Sequence, residues 1–103
     1  MNKTTRKSND KKWYETVENL NNPVLLTGLA KKIVFEGDKV NKVCFEVASK
    51  TQNNKIRRAW ITVIDFEKCL EVGKVYDITA TIVSNSHNDK MTLEFILEEC
   101  CEL

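Results

Sequence analysis

One histidine, one proline, three glycines and no apolar run near the roughly 20 residues of a bilayer-spanning helix set the first bounds on this sequence. With His87 alone, no glycine-rich phosphate loop and no recognisable nucleophile motif, nothing resembles a catalytic constellation, and no enzyme is expected. Paired acids such as Glu98 and Glu99 would point to opposite faces of a strand and do not cooperate on one substrate. A zinc site needs about four ligands, commonly offered as C-x₂₋₄-C or H-x₃₋₅-H elements. Neither spacing is present, so no metal and no cofactor is expected, and Cys44 reads as a small strand residue. The opening MNKTTRKSNDKK lacks the apolar middle of a secretory signal, which points to a cytoplasmic protein with no membrane partner. Without an export signal, and with two of them adjacent, Cys44, Cys69, Cys100 and Cys101 read as free thiols.

What is present is an ordinary globular composition, 42% hydrophobic and 30% charged, over a length of 103 residues that suits one domain. Formal net charge is only +1, so the molecule as a whole lacks the positive field usual for nucleic-acid binders. The distribution is uneven. Lys3, Arg6, Lys7, Lys11 and Lys12 face a single Asp10 at the start, a net charge of +4 over residues 1–12. Asp89, Glu94, Glu98, Glu99 and Glu102 face only Lys90 at the end, a net charge of −4 over residues 89–103.

Residues 1–22 read as a basic arm followed by a short amphipathic helix, in which Trp13, Val17 and Leu20 recur at i, i+4 and i+7 before the turn-like Asn21-Asn22-Pro23. Residues 23–103 form the main domain, where the rhythm changes to period two and the residues become β-branched and aromatic. Five strands are expected near 24–35, 42–49, 57–65, 74–84 and 91–98. The first places Val24, Leu26, Gly28 and Ala30 on one face, with Gly28 where a barrel strand bends or bulges. The second carries Val43, Phe45 and Val47 inward, and the fourth Tyr76, Ile78, Ala80 and Ile82. In the fifth, Met91, Leu93, Phe95 and Leu97 alternate with Thr92, Glu94, Ile96 and Glu98. Between the third and fourth strands, Phe66, Cys69 and Leu70 have helical spacing and Gly73 supplies a stop, so a short helix is expected to cap one barrel end. The fold class is all-β: a five-stranded OB-fold barrel with one short helix between strands three and four and another at the N-terminus.

The strand motifs resemble those of bacterial and phage single-stranded-DNA-binding proteins. VLLTGLA from Val24 to Ala30 is similar to that family's V-x-L-x-G-x-L first strand, with the glycine in place and the apolar positions displaced. CFEVASK, a polar loop and RRAWITVIDF look like its second and third strands, including a tryptophan in the third, and FEKCLEVGKVYDITATI resembles its helix, glycine and fourth strand. The likeness covers about residues 23–98. Thr79-Ala80 stands where the family often has a glycine in strand four, and the sequence stops at Cys100-Cys101-Glu102-Leu103 without the long linker and acidic tip by which bacterial members recruit partners. The resemblance implies a non-catalytic DNA-binding protein acting on single-stranded DNA in DNA replication or DNA recombination, as a monomer or homo-oligomer.

Single-strand binding stacks bases on aromatic rings while cations track the phosphates. Lys55, Arg57 and Arg58 lie within five residues of Trp60, and Lys42 and Lys50 stand on the partner strand or its loop. These six are the candidate nucleic-acid-binding residues. The alternative is that Trp60 belongs to the barrel core and the cations form a solvated edge that deters strand aggregation. Trp13 and Tyr14 offer a second platform or a helix face packed on the barrel, and the basic arm offers phosphate contacts or mere solubility. The rival function is an accessory subunit of a replication polymerase, primase or helicase, for which the weak net charge and the apolar Ile96, Leu97 and Leu103 beside an acidic end speak. RNA or transfer-RNA binding by the same barrel is a third class.

Overall fold

The computed structural model describes residues 12–103, and the arm expected over residues 1–11 lies outside them. Five strands are present: β1 (Val24–Glu36), β2 (Asn41–Lys50), β3 (Ile56–Asp65), β4 (Val75–His87) and β5 (Lys90–Glu102). They close in the order β1-β2-β3-β5-β4, with β4 pairing back onto β1. Every pairing is antiparallel except β3 with β5, which meet in parallel at Val63 opposite Phe95 and Ile64 opposite Ile96. The result is an all-β, five-stranded closed barrel, consistent with an OB-like barrel.

Closure turns on β1, which serves two neighbours in succession. Its first half pairs with β4 and its second half with β2, and Gly28 stands in both ladders, opposite Tyr76 and Val47. A Cβ at Gly28 would run into the Glu46 carbonyl oxygen and sit 2.8 Å from Phe45 Cε2, so the strands can approach this closely only at a glycine. Inward positions of all five strands then share one core, with Ala30, Val43, Phe45, Val63, Tyr76 and Ile78 sealed from solvent.

Neither expected helix is present among the described residues. Between β3 and β4, the fully buried Asp65 takes the place of helical hydrogen bonding: its Oδ1 accepts the Cys69 N–H at 3.0 Å and its Oδ2 the Leu70 N–H at 2.9 Å. Lys68 and Gly73 adopt positive φ of 55° and 94°, which a helix does not allow. Tyr76 Oη accepts the Glu71 N–H at 2.8 Å and fixes the far side of this connection. Leu70 drops into the core, so one apolar side chain of the expected helix still plugs the barrel end. At the N-terminus only Trp13–Glu15 forms a single 3-10 turn, and Lys12 through Pro23 is exposed throughout. The segment has too few residues to hold a helix unaided and packs on nothing within the folded chain, which accounts for the difference.

Strands four and five run further than expected. Asn88 and Asp89, with φ of 52° and 62°, make a two-residue turn of the kind that suits strand twist, so β4 and β5 pair out to His87 opposite Lys90. Between Thr79 and Ala80 the ladder slips by one residue and Glu98 becomes the extra member of β5. Two hairpin ends, the β2–β3 turn at Thr51–Lys55 and the β4–β5 turn, therefore lie at one end of the barrel with the start of β1. The other end holds the β1–β2 turn and the connection from Phe66 to Lys74.

Candidate nucleic-acid interface

Alternation along β2 and β3 sorts the candidate residues onto two faces. With Glu46 opposite Trp60, Ala48 opposite Arg58 and Lys50 opposite Ile56, the even-numbered residues of both strands point outward. Trp60 is 71% exposed at the centre of this face, so it is no part of the core. A shallow hollow beside it is lined by Arg58, Ala59 and Trp60. Lys50, Ile56, Arg58 and Trp60 thus form one surface toward the hairpin end, with an aromatic ring and an aliphatic side chain beside two cations.

The remaining candidates do not join it. Lys42 shares the outward face but pairs opposite Ile64, eight residues along β2 from Lys50, and its Nζ is held by Glu94 at 3.1 and 3.3 Å. Arg57 pairs with Ser49 on the opposite, inward-facing row. Lys55 sits in the hairpin turn, where its carbonyl accepts the Thr51 N–H at 2.8 Å.

Two acids that sequence reasoning passed over govern the electrostatics. Glu46, its side chain only 12% exposed, lies between Arg58 (Nη1 to Oε2, 3.1 Å) and Lys31 (Nζ to Oε1, 3.6 Å). It fixes the guanidinium beside Trp60 while cancelling part of its charge. Glu94 holds Lys42 and also accepts from Asn85 Nδ2. Parity in the sequence places Glu46 on the Trp60 face, but its position directly across from the ring depends on register.

A second, chemically different feature lies across β4 and β5. A groove of about 580 Å³ is lined by Asp65, Glu67, Asp77, Glu98 and Glu99, with no Lys or Arg among its described lining. Cys69 and Cys100 both line it, and the Cys69 thiol donates to Glu67 Oε1 at 3.9 Å. Desolvation first, then the Asp65 carboxylate, pushes Cys69 up from 9.0 to about 11, and desolvation likewise raises Cys100. Among the described residues no helix is long and apolar enough to cross a membrane. Compared with protein-family models, curated proteins and solved structures, the chain finds no significant match in any of the three.

Proposed function

We propose that this is a non-catalytic, OB-fold single-stranded-DNA-binding protein acting in replication or recombination of a chromosome, phage or mobile element. The observation that carries the reading is Trp60, a large ring standing free at the middle of the outward β2–β3 face with Arg58 beside it. An isolated tryptophan gains nothing from water there, whereas a stacked base supplies about 1–3 kcal/mol. The β2–β3 face is also the surface by which barrels of this strand order commonly take oligonucleotides. Fluorescence anisotropy with labelled single-stranded DNA, duplex DNA and RNA at two salt concentrations tests it. The expected order is single strand above duplex, with affinity falling as salt rises. Tighter binding of RNA would move the ligand class while keeping the face.

One observation favours a second reading, an accessory subunit of a polymerase, primase or helicase. Residues 13–103 carry 11 Lys and Arg against 14 Asp and Glu, a net charge of −3, and the acidic groove offers a surface for protein rather than phosphate. If no single strand binds tighter than about 10 μM at low salt, no better than non-specific binding reaches at physiological salt, this reading replaces the first.

A further inference from the structure

Beyond the closed part of the barrel, β3 and β5 separate, because they pair only at Val63–Phe95 and Ile64–Ile96. The inward row of the β4–β5 hairpin nevertheless continues outward through Ile82 opposite Phe95, Ser84 opposite Leu93 and Ser86 opposite Met91. It is apolar and uncovered: Ile82 is 55% exposed, Leu93 63% and Met91 72%. At the same end of the barrel, the segment leading into β1 carries Trp13, Val17 and Leu20, exposed by 71%, 42% and 53%. One chain therefore holds two unsatisfied apolar surfaces of similar size. We propose that two copies satisfy them by exchange, the Trp13–Leu20 segment of each seating on the inner face of the other's β4–β5 hairpin.

The exposures favour a second copy over closure within one chain: the segment leaves β1 beside the hairpin, where Val24 pairs with Ala80, yet both surfaces stay open in the folded chain. A segment arriving from a partner fills what the chain itself leaves open, and a two-fold axis forms the contact twice. The area is sufficient. Six side chains per copy, at on the order of 100 Å² each, remove roughly 1,200 Å² over the pair, the lower bound for a stable specific interface. Charge agrees as well. Arg57 lies on the inward row of β3 across the gap, and neither it nor Glu18 of the segment forms an ion pair among the described residues. Seating Trp13, Val17 and Leu20 on the hairpin gives Glu18 of one copy access to Arg57 of the other. Trp60, on the outward face, stays free, so the contact does not depend on DNA binding.

Sedimentation of the full chain, without DNA, tests the exchange. The wild type is expected to be a dimer at about 100 μM, and Leu93→Asp or Trp13→Ser to raise the dissociation constant roughly tenfold or more. At a dilution where the wild type is itself monomeric, circular dichroism melting of both variants should match it, since these side chains are exposed in the single chain; a lower melting point there would instead give them a core role and overturn the exchange. A photo-crosslinker at position 93, in a mixture of ¹⁴N and ¹⁵N chains, should join to residues 13–20 in mixed-isotope products. Same-isotope products alone would mean closure within one chain, and a wild type that stays monomeric throughout would likewise overturn the proposal. Anisotropy with Leu93→Asp keeps the two readings separate, because a monomer that still binds single strands leaves the Trp60 face intact.

Discussion

At the level of single residues, solvent exposure decides the place of Trp60, which the sequence alone leaves open between core and surface. Phe45 is sealed in the core and Trp60 stands in water, although both sit in alternating apolar strands. Trp60→Ala should therefore shift stability by no more than about 0.5 kcal/mol, as for most surface changes, while weakening single-strand binding by about 1–3 kcal/mol. A core ring cut to alanine would cost about 3–5 kcal/mol of folding free energy, so thermal melting beside anisotropy separates a binding loss from unfolding. Arg58→Ala should instead flatten the salt dependence, by close to one phosphate contact. Cys69 gives a second test, in pH. Its folded-state value of about 11 lies above the ordinary 9.0, so the neutral thiol is favoured in the fold. The stabilisation is fully present below about pH 9 and fades as pH climbs toward 11. Thiolate absorbance lost on Cys69→Ser should accordingly belong to a transition near pH 11; a midpoint at the ordinary value would show the groove to be open to water at that sulfur.

At the level of elements, the strands were legible because half-burial writes a period of two into the residues, and all five expected spans overlap the observed ones. The helices were not legible, and the reasons are local. Phe66, Cys69 and Leu70 have helical spacing, but the side chain of Asp65 captures the Cys69 and Leu70 N–H groups first, a competition that a residue count does not reveal. Asp65→Ala should leave two buried or half-buried donors without partners and destabilise the protein by roughly 2–4 kcal/mol, with Asp65→Asn, which keeps one acceptor, costing less. Urea unfolding measures the difference, and faster hydrogen exchange confined to the Cys69 and Leu70 amides would locate it. Beyond Leu97 the period of two itself fails: the extra residue Glu98 shifts parity, so that Cys100 opposite Ile78 faces the interior while Glu99 and Cys101 do not. The candidate site was half legible for the same reason. Parity in the sequence already separates Arg57 from Arg58 and Trp60, whereas the ion pairs that occupy Lys42 and Arg58 arise from register and from Glu94, fifty-two positions away from Lys42.

At the level of the whole molecule, the net charge of +1 conceals a division of labour. The basic arm carries +4 over residues 1–12, and everything after it carries −3. A polyanion approaching residues 13–103 alone meets a net charge of −3, so under the proposed function the stacking face and the long-range attraction would reside in different parts of the chain. Counterion release makes this measurable. Each phosphate neutralised on a single strand contributes about −0.7 to the slope of log affinity against log salt. If the arm's cations reach the backbone while bases stack on Trp60, removing residues 1–12 should lower the magnitude of that slope by up to about 3 and weaken binding most at low salt. Trp60→Ala should lower affinity nearly equally at every salt concentration, since stacking releases few ions. The two losses should then add at fixed salt, because the residues concerned share no partner. A truncated chain that binds as tightly as the full one, with the same slope, would assign all phosphate contacts to the β2–β3 face. A truncated chain that loses all binding while Trp60→Ala loses none would make the arm the whole of the DNA site, and the barrel, with its acidic groove, a surface for a protein partner.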